Sequence, residues 1–166
     1  MSRPHWRPAF VGVGSNLDDP REQVRAGIDA LGKIPESQLC LRSSSYRSEP
    51  MSDDDQPDYI NAVVGLLTRL TAEALLVKLR DIEDAQGRDR NAGRWRPRTL
   101  DLDLLAMSDQ VVDSDALTLP HPGIAERNFV LLPWTEIAPY FRVPGLGIVK
   151  DLAGRLESPL RIERLA

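Results

Sequence analysis

The chain has 166 residues, 42% hydrophobic and 28% charged, with 25 acidic against 21 basic side chains and a net charge of −4. That length bounds one domain with a substantial core, and the acidic balance excludes a general polyanion-binding surface. A single cysteine excludes an internal disulfide or a cysteine-rich zinc site, and no stretch approaches the ~20 apolar residues of a membrane span.

Met1 to Pro8 is polar and basic, with no apolar run behind it long enough for a signal peptide. A ragged extension on a cytoplasmic protein is expected. Ala9 to Val13 (AFVGV) reads as a short buried strand ended by Gly14-Ser15-Asn16. The GVGSN run lacks the second glycine and the Lys-Ser/Thr pair of a phosphate loop, so it is read as a turn into a helix. Asp18 or Asp19 can cap that helix, Pro20 suits its first position, and Val24, Ile28 and Leu31 share its apolar face. Gly32 and Pro35 close it.

Gln38 to Tyr46 reads as a second strand, with Cys40 a small packing residue between Leu39 and Leu41. From Ser48 to Asp58 no period holds. Glu49-Pro50-Met51, three aspartates and Gln56-Pro57 make a polar loop of a length that is functional or disordered in compact domains. Tyr59 to Leu67 resumes strand alternation, with Ile60, Ala62, Val64 and Leu66 on one face. Asn61, on the other face, is either a hydrogen-bonded edge residue or a ligand contact.

Thr71 starts the strongest helix, striped by Leu75, Leu76, Leu79 and Ile82, with Glu83 and Gln86 near its end and Gly87 as its stop. Five arginines follow, at 88, 90, 94, 96 and 98. From Thr99 a strand alternates strictly, with Leu100, Leu102 and Leu104 on one face and Asp101 and Asp103 on the other. Carboxylates two strand residues apart stand about 6.6 Å from each other. At an effective dielectric near 20 they repel by roughly 2.5 kcal/mol. A hard divalent cation would relieve that repulsion, since Mg²⁺ favours one or two carboxylates together with phosphate oxygens. An Asp-x-Asp strand or an arginine run alone is commonly structural. Their adjacency is what suggests polyphosphate binding, cations bridging some oxygens and guanidinium forks holding the rest.

Val111-Val112 reads as a short strand, and Pro120-His121-Pro122-Gly123 as a rigid turn in which His121 is either solvated or functional. Arg127 to Ile137 is apolar and partly helical. A short helix near Asp151 to Leu156 and a last strand at Leu160 to Ile162 complete the chain. The resulting βαββαβ order predicts an α+β fold: a ferredoxin-like antiparallel sheet, helices on one face and the other free for a site, plus C-terminal additions. One domain over residues 1–166 is expected.

These residues resemble one family, 6-hydroxymethyl-7,8-dihydropterin pyrophosphokinase, an enzyme of folate biosynthesis. The most specific stretch is Arg94-Trp-Arg-Pro-Arg-Thr-Leu-Asp-Leu-Asp-Leu-Leu. Supporting matches are GSNL at 14–17, Ser45-Tyr46-Arg47, Gln56-Pro57-Asp58-Tyr59-Ile60-Asn61-Ala62, Glu83 with Gln86-Gly87-Arg88, and Leu119-Pro120-His121-Pro122. The resemblance implies that Asp101 and Asp103 hold two Mg²⁺ ions bridging the phosphates of ATP, and that Arg88 and Arg98 clamp those phosphates. It implies further that Tyr59 and Phe129 sandwich the pterin, Asn61 reads its amide edge, Trp95 covers it, and Ser48 and Met51 complete the pocket. Glu83 and Thr118 would contact the nucleotide, and His121 and Arg127 its phosphates. Ala116 and Arg80 depart from the family pattern beside the nucleotide. ATP and the dihydropterin are the partners implied, for a monomer with no nucleic-acid or membrane partner. The alternatives are a ferredoxin-like RNA-binding module and another Asp-x-Asp nucleotide transferase with a different acceptor.

Overall fold

A computed structural model describes residues 5–51, 55–87, 99–157 and 161–165. In chain order come β1 (Arg7–Ser15), α1 (Pro20–Leu31), β2 (Ser37–Arg42), β3 (Tyr46–Ser48), β4 (Tyr59–Thr68), α2 (Ala72–Ala85) and β5 (Asp101–Met107). Two short hairpins follow, β6 (Val112–Asp113) with β7 (Thr118–Leu119), and β8 (Arg142–Val143) with β9 (Gly147–Ile148). Between and after them lie α3 (Asn128–Ile137), α4 (Val149–Gly154) and β10 (Ile162–Arg164). The main sheet has the order β10-β3-β4-β1-β5, with β2 also paired to β4, and every pairing is antiparallel. With β2 and β3 taken as one bent strand, this is the ferredoxin-like arrangement.

Three local departures from the sequence reading have physical causes. The second strand is broken, because Ser43 substitutes for strand pairing: its N–H donates to Val63 O at 3.0 Å while its Oγ accepts from Val63 N–H at 2.9 Å. Arg42 pairs with Val64 but Tyr46 with Asn61, so one extra residue is absorbed at the bend. Cys40 is exposed rather than packed. The register slips between Leu39 and Leu41, which leaves Cys40 as the bulged residue on this strand. Pro20 does open α1, but Asp19 precedes it in the left-handed region (φ 61°) and makes no side-chain cap. In α2, by contrast, Thr71 Oγ1 accepts from Ala74 N–H as a helix cap should, and Gly87 beyond its end takes φ 88°.

Helices α1 and α2 pack on one sheet face through Val24, Ile28, Leu31, Leu75 and Leu79, against Val11, Val13, Val64, Leu102 and Leu104. Full burial of each such side chain stabilises by about 1.5–3 kcal/mol. The opposite face, which the sequence reading expected to be free, is partly covered. There α3 and α4 cover Phe10, Val63 and Leu105 with Val130, Leu131, Trp134, Val149 and Leu152. Among the described residues, the part of that face beyond α3 remains open, and the candidate site lies there.

Glu136 on α3 joins these layers. It accepts from Tyr46 Oη at 2.8 Å and from Ser44 N–H at 2.7 Å, and lies 3.7 Å from Arg164 of β10. Burial and the Glu136 carboxylate push the Tyr46 phenol up to about 12. An unfolded tyrosine ionises near 10, so this contribution to stability is complete below pH 10 and is lost as pH rises towards 12. Tyr46→Phe is therefore expected to cost about 1 kcal/mol at neutral pH and to flatten the alkaline fall in stability, measured by urea unfolding from pH 8 to pH 12.

Candidate active site

The site is built on three neighbouring strands whose side chains share a face. Gly14 of β1 stands opposite Asn61 of β4 on one side and Asp101 of β5 on the other. Gly12 stands in the same way between Val63 and Asp103. Strand β1 thus runs on through Gly14 and Ser15, where a turn was expected. Its two glycines leave a trough flanked by the carboxylates on one side and the asparagine on the other.

Two cavities meet at this trough. The first, of about 230 Å³, is lined by Ser48, Met51, Tyr59, Asn61, Arg127 and Phe129 together with both glycines. The second, of about 330 Å³, is lined by Arg80, Glu83, Ala116 and Thr118 with Pro122 and Leu104. Asp101, Asp103 and His121 border both. The paired carboxylates therefore stand at a junction, with a pocket of mixed aromatic and amide character on one side and a charged groove on the other.

Each wall has a reason for its place. Asn61 is buried, and its Nδ2 donates to Ser48 Oγ at 2.7 Å, tying β4 to β3. Phe129 lies in the first turn of α3, where Pro133 supplies no N–H to its carbonyl, and the Arg127 guanidinium lies 5.7 Å from its ring centroid. Glu83, the last buried residue of α2, accepts from Leu102 N–H at 2.8 Å, so the helix is braced against the carboxylate strand. The loop before β4 is held from two sides. Asn16 Nδ2 donates to Gln56 Oε1 and Pro57 O, both at 3.1 Å, while Glu49 and Arg161 exchange backbone and side-chain bonds at 3.3 and 3.1 Å.

Electrostatics converge on Asp103. His121 Nε2 and Arg127 Nη1 each lie 3.9 Å from its carboxylate oxygens. Burial, and then the Arg127 charge, hold His121 down at about 4 against an upward pull from Asp101. At neutral pH its ring is therefore uncharged and presents one N–H, and its buried Nδ1 has no hydrogen-bond partner among the described residues. Among the described residues no three acidic, histidine or cysteine side chains form a ligand cluster. Two carboxylates with open space beside them match Mg²⁺, which takes its remaining oxygens from water and substrate phosphates.

Of the residues singled out in the sequence, Asp101, Asp103, Ser48, Met51, Tyr59, Asn61, Phe129 and Arg127 line the first cavity. Glu83, Thr118 and His121 line the second. Arg88, Trp95 and Arg98 lie outside the described residues. Gly12 and Gly14 were missed, because their place between the carboxylates and Asn61 follows from the strand pairings.

Comparison with known proteins gives the family and the fold. A family model described as 7,8-dihydro-6-hydroxymethylpterin-pyrophosphokinase (HPPK) matches residues 10–139. The chain is 40% identical over 144 residues to the 2-amino-4-hydroxy-6-hydroxymethyldihydropteridine pyrophosphokinase of Haemophilus influenzae, covering 87% of this chain and 89% of that protein. It is 44% identical over 135 residues to the protein of the same description from Pseudomonas aeruginosa, covering 81% and 83%. The fold is shared with a crystal structure of Plasmodium falciparum HPPK-DHPS with pteroate, at a TM-score of 0.73 and 12% identity over 93% of this chain. The chain spans 43% of that longer protein. With a family model covering most of its length and relatives at these identities, the chain belongs to the 7,8-dihydro-6-hydroxymethylpterin-pyrophosphokinase family, whose activity is ATP-dependent diphosphate transfer to 6-hydroxymethyl-7,8-dihydropterin in folate biosynthesis.

Proposed function

We propose that the two cavities divide the substrates: the pterin occupies the pocket of Tyr59, Asn61 and Phe129, and ATP occupies the groove of Glu83 and Thr118. The observation that supports this most is the placement of Asp101 and Asp103 on the border of both. There the hydroxymethyl oxygen of the acceptor meets the β-phosphorus of ATP. The new O–P bond forms as the bond to the α-phosphate oxygen breaks, AMP leaves, and the hydroxyl proton is released.

Such in-line transfer depends on positioning and charge neutralisation more than on a covalent protein group. Asp101 and Asp103 would hold two Mg²⁺ ions, which supply charge neutralisation at the phosphates and lower the cost of ionising the attacking hydroxyl. Tyr59 and Phe129 offer the faces between which a flat heteroaromatic ring is held, and Asn61 offers it a polar edge. Ser48 fixes the Asn61 amide, and Met51 closes the rim. His121, neutral, donates a hydrogen bond where a second full charge would compete with Arg127, and both reach the phosphates from the junction. Arg88 and Arg98 clamp the polyphosphate and Trp95 covers the pterin, a reading that rests on the sequence signature. The same reading makes the protein a single-domain monomer of the cytoplasm. It has no membrane partner, and no RNA partner because the open sheet face carries paired carboxylates.

Incubating the protein with ATP, Mg²⁺ and 6-hydroxymethyl-7,8-dihydropterin should give AMP and diphosphorylated pterin in equal amounts, with the reaction stopped by EDTA and restored by excess Mg²⁺. Formation of ADP in place of AMP, or turnover that survives chelation, would contradict the mechanism.

A further inference from the structure

Gly14 occupies the centre of the trough, with Asn61 across one pairing and Asp101 across the other. A Cβ built there would lie 2.9 Å from Asn61 Oδ1, while Ile60 O and Tyr59 Cδ1 would each be 3.8 Å away. Backbone and ring thus stand at ordinary contact distance, and only the amide oxygen is in the way. That oxygen is not free to retreat. Asn61 is 6% exposed, and its Nδ2 is held by Ser48 Oγ, a side chain that is itself buried. Turning the amide away would break this bond inside the protein, where unpaired polar groups are costly. The other glycine of the trough is not crowded in this way: at Gly12 on the same face, a Cβ would meet Leu105 at 3.6 Å and Asp103 at 3.9 Å.

We propose that Gly14 is a positioning residue for the acceptor ring, its missing side chain keeping the Asn61 amide oxygen in place and open to a ring N–H. The inference rests on the reading of Asn61 as a pterin contact. Nδ2 spends one of its two hydrogens on Ser48, so the amide offers the ring one acceptor and one donor. The matching ligand edge carries an N–H beside a carbonyl. A methyl group at position 14 both displaces and shields the acceptor half of that pair. Gly14 lines the first cavity and not the second, so nucleotide binding is untouched.

The test is a double-mutant cycle read by direct binding. Gly14→Ala should raise the pterin Kd about tenfold or more, the equivalent of losing one buried hydrogen bond, with Mg-ATP affinity held within about twofold. On an Asn61→Ala background the same substitution should add nothing, because the group it acts through is gone. An unchanged pterin Kd for Gly14→Ala, or an equal loss on both backgrounds, would overturn the proposal. Equal weakening of pterin and Mg-ATP together with a lowered Tm would mean a merely structural role, and would overturn it too. If Asn61→Ala alone leaves pterin binding intact, the underlying assignment of Asn61 has failed, independently of Gly14. Should Gly14→Ala not fold, Ser48→Ala carries the test. It frees the amide to rotate and should weaken pterin but not Mg-ATP binding, and an unchanged pterin Kd refutes the proposal.

Discussion

Alanine at Asp101 or at Asp103 should lower the rate of AMP formation by about a thousandfold or more, since metal-assisted charge neutralisation carries most of the barrier reduction in phosphoryl transfer. The effect should fall on chemistry and not on folding. Asp103 is one-third exposed, and Leu102 and Leu104, which anchor β5 under α1 and α2, point the other way. Each substitution also removes half of a like-charged pair, so Tm should be unchanged or slightly raised. Isothermal titration would separate the steps: Mg²⁺-dependent ATP binding should weaken while pterin binding, which we assign to Asn61 and the aromatic walls, should persist. Asp→Asn at either position should behave almost as badly as Asp→Ala, because the amide keeps the shape but loses the charge that competes for a divalent cation. Near-normal Mg²⁺-dependent AMP release by either alanine variant would refute the assignment.

Much of this site could be read in advance because strand alternation is a local property. Leu100, Leu102 and Leu104 mark one face of β5 as core, and that alone puts Asp101 and Asp103 together on the other. Ile60, Ala62, Val64 and Leu66 do the same for β4, which leaves Asn61 facing the carboxylates across β1. Gly14 was illegible for the opposite reason. A glycine carries no pattern, and its value lies in the space beside Asn61, which depends on two neighbouring strands at once. The pairing that leaves Cys40 outside is likewise set by β4, not by the residues around Cys40. The covered second face did leave a trace. In β1 and β4 the runs AFVGV and NAVVGLL are apolar almost without interruption, as strands buried on both sides are. Taking alternate residues of β4 as its only core positions gave Val63 no partner, and α3 packs on Val63 together with Phe10.

That packing leads to the largest stability effect expected in the chain. Trp134 is fully buried on the second face, with its ring centroid 5.2 Å from Phe10 and 5.7 Å from Phe141, which are themselves 4.7 Å apart. Trp134→Ala should destabilise by about 3–5 kcal/mol, the range for emptying an aromatic site in a packed core. For a chain of this size that is a fall in Tm of roughly 6–20 °C. Trp134→Phe should cost far less, because the indole Nε1 has no hydrogen-bond partner among the described residues and a phenyl ring leaves no such donor buried. The loss should also reach the site. Arg127, Phe129 and Val130 line the first cavity from the start of the helix that Trp134 anchors. Below its Tm, Trp134→Ala should therefore bind pterin more weakly while its Mg²⁺-dependent ATP binding, which we assign to α2, β5 and the 115–122 segment, stays close to normal. Calorimetry paired with the two titrations decides it. If Trp134→Ala and Trp134→Phe melt together, the aromatic cluster contributes little and α3 is held to the sheet by other contacts, with Tyr46 and Glu136 the first to examine.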